Sequence, residues 1–220
     1  MKILRMEQHL PDGETNPEWY AVRAGKFTGS DIYVFMPVLK KGELSDTAET
    51  KLYERALAEI ELPEPISQTP AMMRGIELEP IARDLYCLET MAKVEEVGFV
   101  DMEELRAGCS PDGCVFDDSG EKIKKIIEIK CPSAKNYLKM AKGKIPTQYV
   151  WQIQHNLFVT GADSCDFVVY HPAFKLSVQT VMPDPAMQKD LRAVLEILNK
   201  KYDEIEKDIK EFAKWTTTES

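Results

Sequence analysis

Histidine is scarce in this chain. His9, His155 and His171 are the only three in 220 residues, and none stands in an HxxxH or HExxH spacing. A His-based triad or a His-rich metal site is therefore poorly supported. Cysteine occurs five times (Cys87, Cys109, Cys114, Cys131, Cys165), an odd number without a CxxC pair. Free, mostly buried thiols are expected rather than a disulfide framework, and the wide Cys109/Cys114/Cys131 spacing argues against a zinc cluster. No apolar run approaches the roughly 18 residues of a membrane span. The opening MKILRMEQHLPDGE lacks the apolar stretch and small-residue cleavage site of a signal peptide, so a cytoplasmic protein without a membrane partner is expected. Repeats, low-complexity tracts and Gly/Ser-rich linkers are missing too. One domain over 1–220 is expected, with a core over about 15–182 and a C-terminal helix over about 183–215. Basic residues are in deficit, 28 Lys and Arg against 37 Asp and Glu, for a net charge of −9 and a pI near 5.0. That excludes a protein whose whole surface is basic but leaves open a locally basic groove.

What is present is an apolar fraction of 44%, enough for a real core. Asn16-Pro17 predicts a helix start ahead of EWYAVRAG, and Gly29 to Phe35 a second short helix. SDTAETKLYERALAEIEL reads as a helix stopped by Leu62-Pro63-Glu64-Pro65. Thr69-Pro70 opens a longer helix, AMMRGIELEPIARDLYCLETM, with Gly75 and Pro80 inside it at a cost in stability. VEEVGFV, GCVFDD and KKIIEIK then read as strands, the last two joined by an Asp117-Asp118-Ser119-Gly120 turn. Ser133–Lys142 is helical. Pro146 starts TQYVWQIQHNLFVT, which Gly161 closes. CDFVVYHP and LSVQTVM are strands, followed by an amphipathic helix. The order implies an α/β (α+β) fold, a central mixed β-sheet flanked by helices.

Charge is uneven. Lys122 to Lys144 holds eight lysines and one acid, Glu128. That acid belongs to the most informative pattern in the chain: Ser110-Pro111-Asp112-Gly113, then Glu128-Ile129-Lys130. Residues two apart on a strand share a face, so Glu128 and Lys130 project together. Asp112 sits at the turn into the neighbouring strand, where its carboxylate can approach Glu128. Two close carboxylates repel, and a hard divalent cation that accepts oxygen ligands relieves the repulsion. The Ile129 carbonyl offers one further oxygen, and Lys130 would stand beside the metal. Such a set suits phosphodiester hydrolysis. Ile126, Ile127 and Ile129 make the strand apolar on both faces, so Glu128 and Lys130 would be buried polar groups in need of partners.

GCSPDG followed by IIEIKCP resembles the PD-(D/E)xK nuclease superfamily, and in detail the phage lambda-type exonucleases, or YqaJ-like viral recombinases. WYAVRAGKFTGSDI is similar to that family's W-x₃-R-x-G-x-x-T-x-S segment, RGIELEPIARDLY to its G-x-x-x-E-x-x-A-R helix, and YVWQIQHNLFVTG to its Y-x-x-Q-x-Q helix. The likeness fades after about Val181. It implies a restriction-endonuclease-like core and a Mg²⁺-dependent (or Mn²⁺-dependent) 5′→3′ exonuclease acting on double-stranded DNA ends. It also implies a ring-shaped homotrimer and a single-strand annealing protein as partner. By the resemblance Asp112, Glu128, Ile129 and Glu79 bind metal, Lys130 and Gln152 assist catalysis, and Arg23, Ser30 and Ser110 hold the 5′-phosphate. No iron–sulfur cluster is expected.

Each segment has its own physical reading. Gly75, Glu79 and Arg83 lie one helical turn apart on a shared face, where the glycine would let a strand or a nucleic-acid backbone approach; a surface Glu–Arg pair is the plain alternative. Tyr149, Gln152 and Asn156 form one stripe, and Val150, Ile153 and Leu157 the core-facing one. Gln154 is left to DNA or to solvent. Two other functions remain open on the same residues: a structure-specific or restriction-type endonuclease, and a catalytically inactive DNA-binding recombination module.

Overall fold

The computed structural model describes residues 1–10, 15–58, 60–61 and 69–213. After β1 (Lys2–Leu4), helix α1 (Pro17–Arg23) starts where the sequence predicts, with the Asn16 side chain accepting from the Glu18 amide at 3.0 Å. β2 (Phe27–Thr28) leads directly into α2 (Gly29–Phe35), α3 (Val38–Lys41) and α4 (Asp46–Ala56). Helix α4 ends several residues before its expected stop, where the Tyr202 hydroxyl donates to the Arg55 carbonyl at 3.3 Å; the Leu62–Pro65 stop lies outside the described residues. α5 (Pro70–Thr90) is followed by β3 (Phe99–Met102), β4 (Ala107–Cys109), β5 (Gly113–Phe116) and β6 (Ile123–Lys130). Then come α6 (Ala134–Ala141), α7 (Thr147–Thr160), β7 (Ser164–Val169), β8 (Ser177–Val181) and α8 (Pro185–Phe212).

The fold is mixed α/β, but among the described residues the strands form two four-stranded sheets rather than one. The first runs β1-β3-β4-β2 and the second β5-β6-β7-β8. Each contains one parallel pair, β2 with β4 and β6 with β7. The chain passes from one sheet to the other through Ser110-Pro111-Asp112, and Pro111 has no amide hydrogen to continue a ladder. The parallel β6–β7 pair requires a crossover, which α6 and α7 supply.

Alternation along β6 divides the core. Ile126 joins the main cluster with Ile153, Leu157, Phe167 and the apolar stripe of α8, including Leu191 and Leu198. Ile127 and Ile129 point the other way, into a smaller cluster with Val168 and with Ala82 and Tyr86 of α5. Those last two are the only fully buried residues of α5. The Tyr86 hydroxyl donates to Asp166 Oδ2 at 2.6 Å, beside Lys125 at 2.8 Å, while Thr180 donates to Oδ1 at 2.7 Å. This polar knot pins α5 to the sheet. All five cysteines are free thiols, and among the described residues no helix is long and apolar enough to cross a membrane.

Candidate active site

Glu128 lies near the C-terminal end of β6, 1% exposed. A bare carboxylate at such depth is costly unless paired, and three side chains meet it. Lys130, two residues along the same face, forms an ion pair with Oε1. The Gln152 amide donates to the same oxygen at 2.6 Å, and the Asn156 amide to Oε2 at 3.1 Å. Gln152 and Asn156 lie one turn apart on α7, so the helical stripe read from the sequence is the one aimed at the strand. Lys130 Nζ also lies 5.3 Å from the centre of the Tyr149 ring.

Asp112 is held at the end of β6 by hydrogen bonds at both its amide and its carboxylate. Its amide donates to the Ile127 carbonyl at 3.1 Å, and its Oδ2 accepts from the Ile129 amide at 2.6 Å. Glu79, on α5, approaches from a third direction with Oε1 bound to Arg83 at 2.7 Å. Burial first, and then the mutual repulsion of the carboxylates, pushes Glu79 up to about 8 and Glu128 up to about 7; burial likewise raises Asp112. Burial pulls the Lys130 ammonium down, but Glu128 and Asp112 outweigh it and hold the group above its ordinary range.

Among the described residues no three His, Cys, Asp or Glu side chains form a ready-made metal cage; Glu79, Asp112 and Glu128 stand within electrostatic reach of one another. The chemistry of the set fits a hard cation: the donors are all oxygen, Asp112 raises the proton affinity of both glutamates, and Glu128 raises that of Glu79.

A small pocket of about 60 Å³ opens next to these groups, lined by Arg23, Thr28, Gly29, Ser30, Cys109, Ser110, Gln152 and Asn156. Burial lowers the Arg23 guanidinium to about 10, still a full cation at neutral pH. The nearby acid, Asp31, is already committed to Arg55 at 2.5 Å and Lys51 at 3.2 Å. Arg23 stacks on the Trp19 ring at 4.2 Å and donates to Ser110 Oγ at 3.1 Å. The single Trp19 Nε1–H is shared between the Gly98 carbonyl at 2.9 Å and the same serine oxygen at 3.1 Å. A serine hydroxyl has two lone pairs and one proton. Ser110 lines the pocket and keeps its own hydroxyl proton to donate. Ser30 shares a 3.1 Å hydrogen bond with Thr28 on the same wall.

The sequence-predicted residues thus come together as two adjoining groups, Arg23, Ser30 and Ser110 in the pocket, and Asp112, Glu128, Lys130, Gln152 and Glu79 beside it. Ile129 contributes an amide hydrogen to Asp112, a contact that the spacing did not indicate. Two expectations are corrected. Gln154 contacts neither DNA nor solvent: it is 2% exposed and ties α7 to the start of α8 through Met182, Asp184 and Gln188. Gly75 admits no neighbouring strand, since a Cβ there would meet nothing within 4 Å. Close approach occurs at Gly29 instead, where a Cβ would collide with the Asn156 amide oxygen and press on Gln152. Sequence reasoning assigned no role to Trp19 or to Asn156; the polar face shared by Asn156 and Gln152 was the available signal.

Known proteins resemble the chain over most of its length. The YqaJ-like viral recombinase domain matches residues 18–163. No curated protein sequence matches the chain. Among solved structures, it is similar to an alkaline exonuclease (LHK-Exo) from Laribacter hongkongensis, with 29% identity and a TM-score of 0.72 over 90% of this chain and 100% of that one. LHK-Exo in complex with dAMP matches with the same values. A phage related exonuclease from Haemophilus somnus 129PT shares the fold at 17% identity and a TM-score of 0.60, covering 84% and 96% of the two chains.

Proposed function

The chain belongs to the YqaJ-like viral recombinase family, and from that premise we propose that it is a deoxyribonuclease of the phage recombination type. It enters linear double-stranded DNA at an end, degrades the 5′ strand and leaves a 3′ overhang for strand annealing. The observation that carries this reading is the adjacency of an anion pocket and a carboxylate cluster that share Gln152 and Asn156. A terminal 5′-phosphate seated against Arg23, Ser30 and Ser110 lays the next phosphodiester toward Glu128 and Lys130. Cleavage then begins only where an end exists. The dAMP held by LHK-Exo is a mononucleotide of the kind such stepwise cleavage releases.

Asp112, Glu128 and Glu79, with the Ile129 carbonyl, would hold Mg²⁺ or Mn²⁺, which supplies charge for the phosphate oxygens and acidifies a bound water. The remaining chemistry belongs to the protein. Lys130, kept protonated by its carboxylate neighbours, serves as a fixed positive charge for the phosphorane oxygens and not as a base. Gln152 gives one of its two amide hydrogens to Glu128, and its carbonyl orients the attacking water. Arg23 offers a planar fork to the phosphate. Of the eight lysines between 122 and 144, Lys122, Lys125 and Lys130 are paired with acids. Lys124, Lys135, Lys139, Lys142 and Lys144 are exposed, and they track the duplex backbone. A homotrimeric ring and a single-strand annealing partner complete the reading, with the acidic remainder of the surface repelling DNA from other faces.

The test is digestion of a linear duplex, 5′-phosphorylated and labelled at its 3′ ends, with and without EDTA. Metal-dependent release of unlabelled mononucleotides, with the label retained on the long strand, is expected. Rapid nicking of a covalently closed circle would favour a restriction-type endonuclease, and binding without cleavage an inactive DNA-binding module.

A further inference from the structure

Arg83 lies outside the anion pocket and does not touch Glu128, yet its side chain is only 12% exposed and meets three different stretches of chain. Its Nε donates to the Asp112 carbonyl at 2.8 Å. Its Nη2 binds Glu79 Oε1 at 2.7 Å, one helical turn back on α5. Its Nη1 lies 2.6 Å from Glu96 Oε1, in the segment that precedes β3. The pair with Glu79 has the i,i+4 spacing of a solvated surface bridge, which contributes little to stability. Here the third point of contact is main chain from the turn that carries Asp112, and that changes what the pair does.

We infer that Arg83 is a positioning residue that sets the spacing between the Glu79 carboxylate and the Asp112 turn and thereby completes the cation site. This rests on the cation-binding reading given above. A guanidinium is planar, with five donors at fixed angles. Holding a carboxylate on one edge and a carbonyl on another fixes the distance and tilt between them. It engages Oε1 of Glu79 and leaves Oε2 for a cation. It also counters part of the repulsion that drives protons onto Glu79, where Arg83 acts against Asp112 and Glu128. A lysine has one ammonium on a flexible stem and reaches one of these partners at a time. The rest of α5 is held by the apolar contacts of Leu78, Ala82, Leu85 and Tyr86 with the Ile127 and Ile129 cluster, which set the helix but give the Glu79 carboxylate no direction; the bridge ties that carboxylate to the Asp112 turn.

The experiment is calorimetric titration of the full chain with Mn²⁺, for the wild type, Arg83→Lys, Arg83→Met and Glu79→Gln, with the melting temperature recorded for each in EDTA. Single-turnover cleavage is then measured across Mn²⁺ concentrations. Arg83→Lys is expected to weaken Mn²⁺ binding by about 10- to 100-fold, the usual effect of removing a residue that orients a ligand. Its cleavage rate at saturating Mn²⁺ should return to near the wild-type value, and its melting temperature in EDTA should hold. A merely structural arginine would move the melting temperature and leave the affinity alone. Wild-type affinity in Arg83→Lys overturns the inference, and so does wild-type affinity in Arg83→Met; if Arg83→Met does not fold, Arg83→Lys decides. A wild-type protein that binds no Mn²⁺ overturns the cation-binding reading and this inference with it, whereas binding lost in Glu79→Gln but unchanged in Arg83→Lys rejects the inference alone.

Discussion

Acidification from about pH 8 to about pH 6 is expected to weaken cation binding by about 50-fold where the Glu79 proton alone must leave and by about 500-fold where the Glu128 proton must leave as well. The reason lies in the carboxylates. An exposed aspartate or glutamate titrates near 4 and would be fully ionised across this range. Burial and mutual repulsion instead push Glu79 up to about 8 and Glu128 up to about 7, and raise Asp112. The sign follows directly. Groups whose proton affinity is raised hold protons below those values, so an entering cation must displace at least one, and its apparent affinity falls as the pH falls. Above the higher value the sites are empty of protons and the affinity levels off. Lys130 remains charged throughout, so the slope belongs to the acids. Titration with Mn²⁺ in two buffers of different ionisation enthalpy counts the protons released, and about one per cation is expected near neutrality. A flat affinity with no proton release would refute the argument that these carboxylates are crowded.

Three further outcomes follow from the geometry. Arg23→Gln should lower the preference for 5′-phosphorylated over 5′-hydroxyl ends by about 10- to 100-fold, the worth of a charge-assisted hydrogen bond; competition between the two substrates measures it, and an unaltered ratio rejects the pocket as the phosphate seat. Gly29→Ala should cost about 1–3 kcal/mol in urea unfolding, because the new methyl collides with Asn156 and presses on Gln152; wild-type stability would show that α2 and α7 are not held at this distance. His155 is fully buried, and burial lowers its imidazole to about 4. A lowered folded-state value means stability that is present above the unfolded value of about 6.5 and lost as the pH falls toward 4. Between pH 7 and 5 this amounts to about 2 kcal/mol, and His155→Gln should flatten that part of the stability profile; equal slopes would place the ring in water.

Local order was legible in the sequence, and contact between distant segments was not. Asn16-Pro17, Thr69-Pro70 and Gly161 marked ends of α1, α5 and α7 because caps act on their own helix. Glu128 and Lys130 were placed on one face by the period of a strand, and Gln152 with Asn156 by the period of a helix. β2 spans two residues and β4 three, too few to show any period, so of the first sheet only β3 was read, in part, and the two-sheet arrangement was missed. Trp19 and Ser110 are separated by 91 positions, Arg23 and Ser110 by 87. No spacing rule reaches that far; the ordered motifs named Arg23 and Ser110 but left the tryptophan that completes the cluster without a role. Gln154 looked like a solvent residue because its cover comes from the start of α8, thirty and more positions later.

The two faces of β6 set how this gene can drift. Its odd positions glue α5 to the sheet through Ile127 and Ile129, while Glu128 and Lys130 face α7. Exchanging one branched aliphatic for another on the glued side only softens the packing. Losing or gaining a single codon just ahead of Glu128 would turn the strand over, sending both charged groups into oil and two isoleucines toward the scissile bond. Lineages that keep the activity should therefore vary in spelling along this strand but never in length.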